Sequence, residues 1–252
     1  MTVYEALLDT IRSRKAHLTL IDPDKQAPSV AGRMARQAER AGTDGIMIGG
    51  STAAEGSVVE ETCQAVKENC SIPTILFPGG PKGVTCKANA IFYISLLNSR
   101  DPYYITGAHA QSARVLKDLG VEIISVGYIV VEPGQTVGRL GRARLIPRDR
   151  PDLASAYAIV AEFFGMKCVY LEAGSGAERP VPARLIEAAR SSVKIPLIVG
   201  GGVRTVEDAK AVADAGADII VQGSAVEEDS GAYRRVAAVI GYLRSGRSQA
   251  AK

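Results

Sequence analysis

Residues 195–224 read IPLIVGGGVRTVEDAKAVADAGADIIVQGS. Two short apolar runs, 195–199 and 218–221, flank a stretch with helical character at 205–215. Thr205 offers the hydroxyl of an N-cap, and Gly216 the backbone freedom of a helix stop. Neither run alternates apolar with polar residues. Strands of that kind are buried on both faces, as in a parallel sheet covered by helices.

The same unit recurs in both directions from this stretch. Apolar runs at 17–21, 45–48, 74–77, 91–94, 122–131 and 167–172 bring the strands to eight. Helix-like segments at 28–41, 53–69, 108–119, 151–164, 181–191 and 230–243 fall between or after them. Eight such units in 252 residues predict an α/β fold, a closed (β/α)8 barrel of the TIM type. An open doubly wound sheet is the alternative. A single domain spans 1–252, with 245–252 as a frayed tail. The third unit departs from the pattern. Between the third and fourth strands lies PGGPKGVTCKANA, with two prolines and three glycines, which can hardly form a full crossover helix. The barrel is therefore expected to be modified, with an incomplete third βα unit.

Composition narrows the function. Thirty Lys and Arg against 27 Asp and Glu leave a formal charge of only +3, too small and too evenly spread for nucleic-acid binding. No run approaches the ~18 apolar residues of a membrane span. The segment MTVYEALLDTIRSRK is amphipathic and mixed in charge, unlike a signal peptide, so a cytoplasmic location is expected. The four cysteines form no CxxC pair and histidine is scarce, which argues against a zinc site or a disulfide scaffold. The cysteines read as small buried hydrophobes.

In such a barrel the chemistry gathers where the strands end. Gly200, Gly201 and Gly202 follow the seventh strand, and Gly223 and Ser224 the eighth. Glycine turns at those two positions expose backbone N–H groups, here next to the N-terminus of a Thr-capped helix, and suit a phosphate. Asp22 and Asp24, in DPDK after the first strand, suit Mg²⁺ shared with substrate phosphate oxygens, or else an Asx turn. Ser51, after the second strand, offers a hydroxyl to such an ion or a helix N-cap. Glu172 ends the sixth strand in YLEAGSG and, by the period of two, points with Tyr170. A carboxylate there can serve as a general base. His17 reads as a satisfied structural group, and His109 as a cap or surface residue. Arg139, Arg142, Arg144, Arg148 and Arg150 read as a solvated loop, or as a patch for diphosphate or an acidic membrane surface.

HLTLIDPDK, TDGIMIGGS, LLNS with YITGAHAQ, GYIVVEPG, YLEAGSG, IVGGGVRT and IIVQGSAV resemble, in order, the motifs of the geranylgeranylglyceryl phosphate synthase family. The resemblance runs from His17 to Val226, and YLEAGSG is similar to the family's longer-sequence group. It implies a modified TIM barrel lacking part of its third unit. It implies a Mg²⁺-dependent prenyltransferase joining sn-glycerol 1-phosphate to a polyprenyl diphosphate, usually geranylgeranyl diphosphate, by an ether bond with release of diphosphate. That is the first ether-forming step of archaeal-type membrane lipid synthesis. By the same resemblance, Asp22 and Ser51 hold Mg²⁺. Tyr170, Leu171, Glu172, Ala173, Gly174, Ser175 and Gly176 meet the glycerol phosphate, with Glu172 against its 3-hydroxyl. Gly201, Gly202, Gly223 and Ser224 hold the phosphate. A homo-oligomer, dimer or hexamer, and transient contact with a membrane surface follow as expectations.

Departures from the family pattern are local. Ser224 stands where many members have Asn, Val126 where many have Glu, Tyr104 where some have Trp, and Leu20 where some have Lys. On this reading the allylic diphosphate leaves, the carbon behind it gains cationic character, and Glu172 accepts the proton of the attacking hydroxyl. Such a centre demands only a weak base, so no raised pKa is expected of Glu172. The prenyl tail would lie in the opening left by the third unit, near Phe77, Phe92, Tyr93 and Tyr104. The rival readings are a phosphate-binding barrel isomerase or lyase, which needs an acid–base pair or a catalytic Lys in the pocket, and a non-catalytic barrel that only binds a phosphometabolite.

Overall fold

A computed structural model describes residues 1–49, 57–85, 87–223 and 232–245. Eight parallel strands close on themselves in chain order: β1 (Ala16–Ile21), β2 (Gly45–Gly49), β3 (Thr74–Phe77), β4 (Ala90–Leu96), β5 (Glu122–Val130), β6 (Cys168–Glu172), β7 (Leu197–Gly200) and β8 (Ile219–Gln222). The last strand pairs back onto the first, His17 against Ile220 and Thr19 against Gln222. The closed barrel settles the choice against an open sheet.

Around it lie α1 (Val3–Ser13), α2 (Pro28–Ala41), α3 (Ser57–Asn69), α4 (Ala108–Leu119), α5 (Gln135–Leu140), α6 (Pro151–Phe163), α7 (Ala183–Ser192), α8 (Val206–Asp214) and α9 (Ala232–Ser245). The expected helix start at 53 lies outside the described residues. A π-helical turn, Tyr103–Gly107, leads into α4. Proline opens α2 and α6, where its missing N–H costs nothing, and left-handed Gly42 closes α2.

Successive strand residues alternate between two environments. Leu18, Met47, Ile75, Phe92, Val126, Ile198 and Val221 fill the barrel. Ile21, Ile46, Ile48 and Leu76, or Val169, Leu171, Val199 and Ile220, face the helices. Helix α1 closes the end where the strands begin. Its Leu7, Val3, Tyr4 and Ile11 pack into the barrel's interior cluster. Glu122, first in β5, accepts from the amides of Val3 (2.6 Å) and Tyr4 (3.0 Å), a carboxylate at a helix N-terminus. The floor is sealed, so ligands have the opposite end.

Between Phe77 and Ala90 the described residues form turns and no helix, as the Pro- and Gly-rich sequence predicts. The neighbouring ladder is short. Only Ile75–Ala90 and Leu76–Ile91 pair across β3 and β4, against seven pairs between β4 and β5.

Candidate active site

Glu172 ends β6 on the barrel's inner face, at the open end. It is buried. Its Oε1 accepts from the Gly174 amide at 2.6 Å, and its Oε2 from the Tyr128 hydroxyl at 3.1 Å. Desolvation pushes the carboxyl above its ordinary range, and these hydrogen bonds, with one from Tyr170, oppose the shift only in part. The ordinary pKa expected from the sequence is thus corrected: burial, invisible in a single strand's sequence, dominates.

The turn beyond Glu172 folds tightly on its neighbours. Gly174 has φ +101°, and a Cβ there would come within 2.7 Å of the Gln135 Cβ. Gly201 has φ +76°, and a Cβ would lie 2.3 Å from Glu172 Oε1. The acid therefore rests directly on the glycine turn after β7. Tyr170 lies beneath it, its hydroxyl against Gly200, where any Cβ would collide. Tyr170 and Glu172 do share a face, as predicted. Leu171 and Ala173 do not: both side chains are buried in the helix-side core, so only their backbones border the mouth. Ser175 and Gly176 stand exposed at the rim.

The glycine turns lie where a phosphate site was expected, with one correction. The cap of helix α8 takes up the amides of Arg204, Thr205 and Asp208. Thr205 Oγ1 accepts from the Asp208 amide at 3.1 Å, while Asp208 Oδ2 accepts from the amides of Arg204 and Thr205, both at 3.0 Å. Further donors for an anion lie upstream. Among the described residues the amides of Gly201 and Gly202 donate to no partner. Gly223 follows β8 alongside; Ser224 lies outside the described residues.

Asp22 sits half-buried just beyond β1. Its Oδ1 accepts from the Asp24 amide at 3.1 Å, an Asx turn that holds the carboxylate at the mouth. Asp24 is exposed. Ser51 lies outside the described residues, and the described ones contain no group of three or more metal-ligating side chains. A single carboxylate of this kind fits a Mg²⁺ ion that takes its other ligands from substrate and water.

An apolar groove of about 260 Å³ runs from the barrel mouth through the gap left by the third unit. Phe77, Phe92, Tyr93 and Tyr104, singled out in the sequence, all line it. So does His109, which is half-buried against Tyr93 with ring centroids 4.1 Å apart and is not the cap or surface residue expected. Desolvation lowers its pKa, keeping the imidazole neutral in this apolar wall. No lysine lines the groove among the described residues. Opposite, Leu140 and Gly141 complete the wall. Ser99 Oγ donates to the Gly141 carbonyl at 2.7 Å, and Asn98 Nδ2 to those of Val130 and Arg144, both at 2.9 Å. The LLNS motif thus staples the wall in place. The arginine-rich loop is more structured than expected: it contains α5, Arg142 pairs with Asp101 at 3.5 Å, and Arg148 donates to the Glu132 and Pro180 carbonyls.

Tyr128 joins the groove to the acid. Its ring lines the groove and packs edge-on to Phe77 (5.8 Å) and Tyr170 (5.0 Å), while its hydroxyl reaches Glu172. The sequence reading missed it. The signal was present, since Tyr128 falls on an inward position of β5, level with Tyr170 of β6.

Residues 8–240 match the model of the PcrB family. The chain is 51% identical over 220 residues to the geranylgeranylglyceryl phosphate synthase of Pyrococcus horikoshii, covering 87% of each chain. It is 49% identical over 240 residues to that of Methanothermobacter thermautotrophicus, covering 95% of this chain and 98% of the relative. Among solved structures, it matches (S)-3-O-geranylgeranylglyceryl phosphate synthase from Thermoplasma acidophilum in complex with sn-glycerol-1-phosphate. That match has a TM-score of 0.94 and 42% identity over 97% of this chain and 99% of the other.

Proposed function

The chain belongs to the PcrB family and is a prenyltransferase, and on that footing we propose that it joins the 3-hydroxyl of sn-glycerol 1-phosphate to a polyprenyl diphosphate. The preferred donor is geranylgeranyl diphosphate. The observation that carries this reading is the junction at Tyr128. A largely apolar groove of about 260 Å³ opens beside a buried carboxylate, and that carboxylate rests on the glycine turn after β7.

In this reading the amides of Gly201 and Gly202, with the Gly223–Ser224 turn, hold the phosphate of the acceptor. The 3-hydroxyl then faces Glu172, and the prenyl chain lies along Phe77, Phe92 and Tyr104. Asp22 and Ser51 would hold Mg²⁺, which when bound supplies positive charge beside the departing diphosphate. As the allylic carbon loses diphosphate it becomes electron-poor, and the hydroxyl oxygen bonds to it. Glu172 Oε takes the hydroxyl proton. A desolvated carboxylate is a stronger base than an exposed one, and the Tyr128 and Gly174 donors keep it ionised and aimed. Fixing both reactants removes much of the entropic barrier, with roughly 7–11 kcal/mol as the ideal upper range.

Assembly as a dimer or hexamer, a cytoplasmic location and transient contact with a membrane surface belong to the same reading. Phe163 and Phe164, 80% and 67% exposed at the end of α6, support self-association. None of the described helices is long and apolar enough to cross a membrane.

The test is incubation with sn-glycerol 1-phosphate, Mg²⁺ and prenyl diphosphates of several lengths, with products weighed by mass spectrometry. An ether-linked prenylglyceryl phosphate is expected, and far less of it from sn-glycerol 3-phosphate. Absence of any prenylated product would sink the reading.

A further inference from the structure

Behind the mouth, on the helix-facing side of the barrel, a chain of buried polar groups links β1 to both phosphate turns. Gln222 is the last residue of β8, directly before Gly223, and Val203 directly follows Gly202. Gln222 Nε2 donates to the Val203 carbonyl at 3.0 Å, so one side chain ties the end of β8, next to Gly223, to the turn after β7. Gln222 Oε1 in turn meets His17 Nε2 at 2.9 Å, and His17 Nδ1 meets Thr43 Oγ1 at 2.9 Å. The Thr19 hydroxyl donates to Thr43 Oγ1 at 3.2 Å. His17, Thr19, Thr43 and Gln222 are all buried.

The carbonyl at one end of this chain sets the direction of the bonds next to it. A carbonyl only accepts, so the amide nitrogen of Gln222 must face Val203 and its oxygen must face His17. His17 Nε2 therefore carries hydrogen. Burial pushes this imidazole down to about 4, so at neutral pH the other nitrogen is bare and faces the Thr43 hydroxyl, whose proton is shared among that nitrogen and the carbonyls of His17 (3.0 Å) and Gly45 (3.3 Å). A buried polar chain adds little net stability over apolar packing, but it fixes geometry, because half of it cannot be satisfied alone.

We propose that His17 and Gln222 form a positioning tether that sets the spacing and tilt of the two glycine turns that grip the acceptor's phosphate. The tether rests on the reading of those turns as the phosphate site. It acts behind them, touching no substrate, and it selects for binding of the phosphorylated acceptor over binding of the prenyl donor.

Gln222→Met keeps the volume and removes both hydrogen bonds. Its KM and its calorimetric Kd for sn-glycerol 1-phosphate are expected to rise about tenfold, with the KM for prenyl diphosphate within about twofold. His17→Gln, which retains a donor for Gln222 Oε1, should restore acceptor affinity to within about threefold of the wild type. Nitrogen NMR on the wild-type protein checks the wiring independently of any variant's folding, with His17 expected neutral and protonated at Nε2. Equal losses for both substrates, unchanged acceptor affinity in Gln222→Met, or a hydrogen on Nδ1 instead of Nε2 would each overturn the tether while leaving the phosphate site standing. A wild-type protein that fails to bind sn-glycerol 1-phosphate would remove the phosphate site itself, and the tether with it.

Discussion

The hydroxyl of Tyr128 donates to Glu172 Oε2 at 3.1 Å while the ring of the same tyrosine walls the apolar groove. One residue thus marks the boundary between the space for a hydrocarbon and the group that can take a proton.

Glu172→Gln should lower kcat by at least about 100-fold, the usual worth of a positioned base. Binding of sn-glycerol 1-phosphate should stay within a few-fold. The folded state raises the pKa of Glu172, so its ionised form is less favourable there than in the unfolded chain. The neutral amide should therefore leave thermal stability unchanged or higher at neutral pH. Full activity in this variant would remove Glu172 from the base role.

The acid limb of the kcat/KM profile should lie above the ordinary glutamate value of 4.5, with activity falling as pH drops through it. In Tyr128→Phe the carboxylate loses a donor that favours its charged form. The limb should then move to still higher pH, with kcat/KM down about tenfold at neutrality. A limb unmoved by this change would show that the Tyr128 bond does not bear on the titrating group.

Asp22→Asn keeps a side-chain oxygen for the Asx turn but removes the charge. It should raise the Mg²⁺ concentration giving half-maximal rate, with the fold unaltered by circular dichroism. An unchanged magnesium titration would place the ion elsewhere.

Tyr104→Ala enlarges the groove, and prenyl diphosphates longer than geranylgeranyl should gain against it in direct competition. A product spectrum identical to that of the wild type would show that the groove's width at Tyr104 does not limit the tail.

His17 gives a stability signature. Its imidazole is held near 4 in the folded protein, against 6.5 for the free group. The unfolded chain therefore binds the extra proton first as pH falls below 6.5, and stability is lost progressively until about pH 4. The full effect is about 3 kcal/mol. Urea unfolding of wild type and His17→Gln at pH 7 and 4.5 should show the wild type losing more. Parallel losses would contradict the burial of a neutral imidazole.

Much of this was legible in the residues. The run of uninterrupted apolar strands gave the parallel barrel, and PGGPKG marked the missing helix because proline and glycine oppose it locally. The acid of YLEAGSG was placed correctly by the period of two. What stayed hidden depends on neighbours far along the chain. The shift of Glu172 arises from burial by several strands together. Tyr128 matters because it lies level with Tyr170, 42 positions away. Leu171 and Ala173 were grouped with the site because a motif reads contiguously, whereas a strand turns alternate residues away. His17, read as a satisfied structural group, is satisfied, yet its partner Gln222 lies on the far side of the sequence.

The barrel wall is thinnest where only two ladder pairs, Ile75–Ala90 and Leu76–Ile91, join β3 to β4, strands whose connection holds no helix among the described residues. Hoops are held by their weakest stave. The amides of β3 and of the first residues of β4 should exchange with deuterium sooner than those of β5 or β6, by partings too small to unfold the rest. Such brief loosening at the seam, beside Phe77 and Ile91, would widen the apolar space there without the barrel ever coming apart.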